Sequence, residues 1–436
     1  MISTLFLMHS STLKETIMTQ FADREVIDLN NKEYFKIYEG LWKGTKPPFI
    51  KVGVIRNTNF TSSGEIDYSD IAYLDVEEKK FHERRLIKGD IIIERSGGGP
   101  KQPVGRIVQF NKTDGYYSFS NFTSMVRIQK PNQLDPHFAL YILLKIYQSG
   151  KTKNIERRTT GIRNLDFSLY KKLARFPLIS ISEQLIICNI LSTWDRAIER
   201  VQQLIEVKRK QKKGLMQGLL TGKLRFPDFG TPSGQNGELP EGWRLMKIGQ
   251  LVKRVRNPVN VKPEQLYMEV GIRSHGKGIF HKEERFGKEL GTKSIFWVKP
   301  NTFILNIVFA WEQAIAKTTY QEDGFVASHR FPMYKPMDDL LDLDFFFRFF
   351  LTPHGKSLLS LVSPGGAGRN KTLNQDAFLK LTILVPPIIE QKKISSILFD
   401  IENEIEILTR YNNALNSQKQ GLIQKLLTGE IRVKVD

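Results

Sequence analysis

Apolar residues step alternately by four and three along Ile187, Leu191, Trp194, Ile198, Val201 and Ile205, and again along Ile394, Leu398, Ile401, Ile405 and Leu408. That spacing is a heptad seam and predicts two long amphipathic helices packed through these residues. Asn412 stands where the first copy has Ile205, and reads either as a polar exception that sets register or as a solvated position. A helix from Glu183 to Gly214 holds 32 residues, about 48 Å at 1.5 Å per residue. Antiparallel pairing of two such helices would place the segments that precede them at opposite ends of a rod, related by a pseudo-two-fold axis.

The helices belong to an internal repeat. Glu183-Gln184 recurs as Glu390-Gln391, and Leu219-Leu220-Thr221-Gly222 as Leu426-Leu427-Thr428-Gly429, both 207 residues later. Between Gln211 and Arg225 the copies agree at ten of fifteen positions, which chance does not produce. A Pro/Gly/Asn-rich linker follows the first helix and ends at Leu239-Pro240-Glu241-Gly242-Trp243.

The segments ahead of the helices repeat in outline only. Short β-rich runs are expected at Phe49–Arg56, Asp90–Glu94, Val104–Phe110 and Ser124–Ile128, and at Lys293–Val298, Thr302–Val308 and Gly324–Ala327. Each half then has a helix-like run, Asp135–Tyr147 or Asp342–Leu351, and a glycine-containing basic loop, Arg157–Asn164 or Ser363–Lys371. The fold class is therefore α+β. The expected organisation is an N-terminal extension (1–30), a first globular domain (31–180), a first spacer helix (181–226), a linker (227–238), a second globular domain (239–387), and a second spacer helix with a tail (388–436). Met18 offers a second start position inside the extension.

Composition narrows the function. The 65 Lys and Arg residues against 46 Asp and Glu give a formal net charge of +19, which suits a polyanionic partner, nucleic acid or anionic membrane. No apolar stretch reaches the roughly 18 residues needed to span a bilayer, and Leu5–Met8 lacks the basic segment before it and the small-residue cleavage site after it expected of a signal peptide. The single Cys188, among Ile186, Ile187 and Ile190, reads as a buried structural thiol in a reducing, cytoplasmic setting.

Catalytic and metal signatures fail on inspection. Gly287–Ser294 lacks the second glycine of a phosphate loop, His82-Glu83 lacks the second histidine of a zinc-protease helix, and Asn257-Pro258-Val259-Asn260 lacks the second proline and aromatic of an amino-methyltransferase loop. Ser96-Gly97-Gly98-Gly99-Pro100 reads as a flexible loop. No catalytic or metal-ligating residue is assigned.

Nucleic-acid contacts fit the remaining pattern. Eight basic residues against two acids lie within Lys151–Arg175. Arg and Asn pair bidentately with guanine and adenine edges, so Arg163-Asn164 and Arg369-Asn370, in equivalent loops, are the strongest candidates. Arg157, Arg158 and Lys371 are further DNA-binding candidates, with Arg106, Arg273, Lys317, Arg330, Tyr116, Tyr117, His275 and His329 weaker ones. For any one of them an ordinary solvated charge or core aromatic competes evenly. The run Lys208–Lys213 is nearly neutral in its second copy and reads as a solvated or partner-facing surface.

The duplicated plan, the Leu-Pro-Glu-Gly-Trp opening at 239–243, the Glu-Gln helix starts, and the Gly-Leu-(Met/Ile)-Gln-(Gly/Lys)-Leu-Leu-Thr-Gly ends at 214–222 and 421–429 together resemble the specificity (S) subunits of type I DNA restriction–modification systems. Asn31–Ile37 stands where the first half would carry its own such opening. The resemblance implies two target-recognition domains that each read half of a bipartite, asymmetric DNA site. It implies helices that dock two methyltransferase (M) subunits, with restriction (R) subunits alongside. S-adenosylmethionine, ATP and Mg are then expected on those partners, with no cofactor in this chain, and the chain itself is a non-catalytic DNA reader. The competing expectation is a coiled-coil scaffold binding nucleic acid or acidic proteins in another defence or repair assembly.

Overall fold

The structure is a computed structural model that describes residues 25–41, 43–99, 102–159, 162–232, 239–365 and 371–435. The chain divides into two compact units, residues 1–202 with 411–436, and residues 203–410. Two long helices, Ile181–Leu219 and Ile388–Thr428, each contribute one part to each unit.

The first helix is longer than the 32 residues expected, running 39 residues and continuing through Gly214. One interior glycine costs only about 1 kcal/mol of helix propensity. Burial of Leu219 and Leu220 at the helix end outweighs that. The chain leaves both helices through a left-handed glycine, Gly222 or Gly429, with φ of 72° and 74°.

In the first unit a four-stranded antiparallel sheet runs in the order Phe35–Glu39, Thr123–Ile128, Ile91–Glu94, Ile107–Gln109. In the second unit the order Val252–Val255, Met333–Pro336, Phe303–Leu305, Ile315–Lys317 repeats it. A helix packs on each sheet: Pro136–Gln148, N-capped by Asp135, and Leu343–Leu351, N-capped by Asp342. A two-stranded pair precedes each long helix, Val26–Asp28 with Arg175–Pro177 and Arg244–Lys247 with Thr382–Val385. The packed first unit therefore takes in Ile27 and Leu29, ahead of the expected start at Asn31.

Two segments expected as loops are strands. Arg157–Asn164 belongs to a hairpin of Glu156–Thr159 with Ile162–Leu165, and Ser96–Gly98 pairs with its second strand. The glycines there serve a close approach, since a Cβ on Gly98 would sit 2.6 Å from a Val104 methyl carbon.

Each unit joins its module to its helices through the same contacts. The Gln184 side chain donates to the carbonyls of Gln133 and Ile179 and accepts from the Asp135 N–H, at 2.8, 2.9 and 2.8 Å. Gln391 does the same with Leu340, Pro386 and Asp342, at 2.9, 2.8 and 2.8 Å. Cys188 and Ser395 occupy equivalent places against Asp135 and Asp342. Burial and the Asp135 charge push the Cys188 thiol well above its ordinary range, so it stays protonated as a donor.

Helix pairing inside each unit is antiparallel. Glu183 holds Arg432 (2.5 and 2.7 Å) and Asp195 holds Lys419 in the first unit. In the second, Glu390 holds Arg225 (2.8 and 3.0 Å), Glu402 holds Lys212 (2.9 Å) and Glu404 holds Lys208 (2.7 Å). The basic run at 208–213, expected as a solvated or partner-facing surface, thus supplies two cross-helix ion pairs. Of the seam, Ile187, Leu191, Ile198, Ile205, Ile394, Leu398 and Ile401 are buried, while Trp194, Val201, Ile405 and Leu408 are half-buried. Ile187 and Leu191 pack with Phe138, Ile423 and Leu426, and Ile394 and Leu398 with Phe345, Leu219 and Leu220. Asn412 is half-buried, and its Oδ1 has no hydrogen-bond partner among the described residues.

Replacing Gln391 by Ala strands one buried N–H and two carbonyls, and is expected to cost about 2 to 3 kcal/mol of unfolding free energy in urea titrations. A change below about 0.5 kcal/mol would show the clamp to be dispensable. A second expectation concerns acid. Burial pushes the Glu402 carboxyl up, but the Lys212 hydrogen bond and the Arg348 and Lys212 charges outweigh it and hold the group below its ordinary value of 4.5. A depressed carboxylate contributes stability that is present above its unfolded pKa and lost as pH falls through the folded value. The thermal midpoint should drop below about pH 4.5, and less steeply in Glu402→Gln, which retains the Asp344 contribution. Superimposable acid limbs would refute this.

Candidate nucleic-acid interface

The glycine-containing basic segments meet the sheets at the same place in both units. The Leu165 N–H donates to the Arg95 carbonyl (2.7 Å), and the Leu373 N–H to the Ile307 carbonyl (2.8 Å), each just beyond the core strand at 91–94 or 303–305. The segment is a hairpin in the first unit. In the second it closes through a bridge between Gly365 and Lys371, and Arg369 and Asn370 lie outside the described residues.

Buried acids hold several first-unit candidates. Arg106 forms a two-pronged pair with the fully buried Glu94, at 2.6 and 2.9 Å, and Asn57 donates to the same carboxylate. Arg163 pairs with Glu156 at 2.9 Å, and Glu156 also accepts from the Val104 N–H. Asn164 accepts from the Ser96 hydroxyl at 2.5 Å. Arg157 pairs with Asp166, yet its side chain remains 73% exposed. The Arg158 side chain lies outside the described residues, while its backbone pairs with Arg163 across the hairpin.

The second-unit candidates separate. Lys317 binds Asp344 and continues an ion chain through Arg348 and Glu402 to Lys212, at the junction of module and helices. Its place in the first unit is taken by Gln109, which meets His137 at 3.0 Å, while Tyr141 donates to Asp195 at 2.7 Å. Burial lowers the affinity of His137 for a proton, so neutral groups stand where the second unit has charges. Arg273 is exposed, donates to the Ile279 carbonyl and lies 4.9 Å from the Phe280 ring. Lys371 lies 5.0 Å from the Trp311 ring. His275 is exposed at a φ of 61°. In the first unit Tyr116 is exposed beneath the Arg85 guanidinium, and Tyr117 packs against a core cluster.

Exposed Arg330 and His329 border a cavity of about 450 Å³ that is also lined by Lys282, Lys293 and Asn306. An adjoining cavity of about 190 Å³ shares His329 and Phe331 and adds Arg254 and Arg256. Sequence reasoning singles out Arg330 and His329 alone, because the other cations come from separate segments with no shared motif.

The near-miss motifs carry no site geometry: Gly287–Glu289 is a short 3-10 turn, and His82 faces Glu78 one turn back on its helix. Among the described residues no group of three or more His, Cys, Asp or Glu side chains could hold a metal ion. Among the same residues no helix is long and apolar enough to cross a membrane.

Comparison with known proteins gives the chain its place. It is 25% identical over 380 residues to the MjaX specificity subunit of Methanocaldococcus jannaschii, covering 86% of each chain. It is 25% identical over 324 residues to the type I restriction enzyme MjaVIII specificity subunit of the same organism, covering 72% of this chain and 74% of that one. The fold is shared with the S subunit of a type I restriction–modification system from M. genitalium, at a TM-score of 0.51 and 15% identity over 95% of this chain and 98% of that one. The family model for the type I restriction modification DNA specificity domain matches twice, over residues 18–209 and 240–417, and the chain belongs to that family.

Proposed function

We propose that this chain is the non-catalytic DNA reader of a type I restriction–modification complex, each module recognising one half of a bipartite, asymmetric site in double-stranded DNA. One observation carries the reading. The junction contacts of Gln184 and Gln391 are reproduced partner for partner, whereas the sheets outside that shared frame differ among the described residues, two of three strands in the first unit against three of two strands in the second. A repeated frame carrying unlike surfaces suits two readers of unlike sequences. The long helices dock two M subunits, which bring S-adenosylmethionine for adenine methylation. R subunits bring ATP- and Mg-dependent translocation and cleavage. The complex works in the cytoplasm.

The direct test maps N6-methyladenine across the genome of a host carrying this chain with its neighbouring methyltransferase, and of a host carrying the methyltransferase alone. A bipartite asymmetric motif is expected only in the first. Identical maps would overturn the assignment in favour of the scaffold reading. Exchanging residues 31–180 for the same region of a relative is expected to change one half-site and leave the other intact; a change in both would sink the two-module reading.

At residue level, Arg157→Ala is expected to weaken DNA binding evenly across sequences, as befits a cation that faces phosphate. Arg163→Ala is expected to cost about 1 to 3 kcal/mol on the first half-site alone. Equal affinity for wild type and Arg163→Ala at moderate salt removes Arg163 from the interface.

A further inference from the structure

The two adjoining cavities of the second unit form one groove with a sharply one-sided charge. Arg254 and Arg256 enter from the edge strand of the sheet, and Lys282 follows a short hairpin strand. Lys293 precedes the strand Ile295–Trp297, and Arg330 lies in the turn after Val326–Ser328. Five cations thus meet from four stretches of chain. Among the described residues, the acid paired with these cations is the buried Glu269, 2.7 Å from Lys293 and 3.5 Å from Lys282. Burial raises the Glu269 carboxyl, but those two lysines outweigh it and keep the group ionised, so one negative charge faces five positive ones.

The groove is built rather than incidental. Its turn is stitched down by the His329 N–H to the Ser294 carbonyl (3.0 Å), the Ile307 N–H to the Arg330 carbonyl (3.0 Å), and the Phe331 N–H to the Ser328 carbonyl (2.9 Å). Half-buried Phe296, Phe309 and Phe331 line it and pack on the apolar cluster beneath. An apolar floor strengthens the attraction of the cations above it for an anion. Concavity decides what kind of contact this is. Base edges lie recessed in the grooves of a duplex and are reached by protruding elements, whereas the sugar–phosphate backbone is the convex part that a basic recess receives.

We propose that this groove seats the DNA sugar–phosphate backbone, anchoring and orienting the second module without reading sequence. The proposal rests on the DNA-reading assignment above and adds to it Arg254, Arg256 and Arg330 as phosphate contacts of the second module.

The test uses the full chain assembled with its methyltransferase, and two duplexes, one carrying the motif from methylation mapping and one with that motif scrambled. Dissociation constants are measured against salt for wild type, the triple variant Arg254→Gln/Arg256→Gln/Arg330→Gln, and the control Lys299→Gln, an exposed lysine of the same unit outside the groove. Removing one cation from a phosphate should lower the slope of log K on log salt by about 0.9, so the slope of the triple variant should fall by between about two and three. Its preference for the motif over the scrambled duplex should stay within about twofold of wild type, and the control slope should not move. An unchanged slope in a triple variant that melts like wild type overturns the proposal. So does a loss of preference exceeding the loss of affinity, which would make the groove a base reader. A control slope that falls by about 0.9, the value of one phosphate contact, overturns it too, by showing a diffuse charge effect. Wild type that binds neither duplex overturns the DNA-reading assignment itself, which separates that failure from the others.

Discussion

The rest of this molecule depends on a buried side-chain amide whose oxygen and both N–H groups are bonded. A glutamine offers one acceptor and two donors, and at Gln184 and Gln391, both fully buried, the amide bonds the N-cap residue of the module helix, the carbonyl two residues before that cap, and the carbonyl at the end of the strand leading into the long helix. Two segments some 50 residues apart, the start of the module helix and the start of the long helix, are fixed by one group. Apolar packing around Phe138 or Phe345 supplies more burial, but it is non-directional and tolerates sliding. A buried amide left partly unpaired is penalised, so the junction has one low-energy geometry. The buried pair of Glu390 with Arg225 follows the same logic, and the Trp243 indole N–H seals it at 3.1 Å. Motifs that make this sequence recognisable, Glu-Gln and Leu-Pro-Glu-Gly-Trp, are therefore joinery.

That division explains what the sequence discloses. The long helices are legible because a seam near 3.5 residues per step is local and long, and the duplication because its identities concentrate in the helix ends. The modules are far less so. Their core-sheet strands run only three to six residues, and Ser96–Gly98 has no side-chain pattern to betray a strand, since its glycines are there to let backbones approach. The basic run at 208–213 looks solvated because the acids that meet it, Glu402 and Glu404, lie almost 200 residues downstream.

Candidate contacts suffer from the same blindness to distance. Arg106 and Arg163 have the residue type a base reader needs, and so does an arginine that neutralises a buried glutamate; only the fold reveals Glu94 and Glu156 beneath them. Lys317 reads as a surface cation in the sequence and lies in an ion chain at the module junction. Conversely the groove around Arg254, Lys282, Lys293 and Arg330 has no linear signature, because the sheet brings its cations together from widely spaced positions.

The duplication also constrains itself. Glu183 of the first copy bonds Arg432 of the second, and Glu390 of the second bonds Arg225 of the first, so each copy completes its junction with a residue of the other. Lys212 and Lys419 exchange in the same way with Glu402 and Asp195. A change in one copy's helix end is answered by an acid at the start of the other copy's helix, which explains why identity is retained in the helix ends while the modules diverge. Other junction positions, whose partners lie within their own copy, differ in chemistry: Gln109, His137 and Tyr141 in one unit stand for Lys317, Asp344 and Arg348 in the other. Reciprocal pairing preserves the frame, and pairing within each copy leaves each module its own electrostatics.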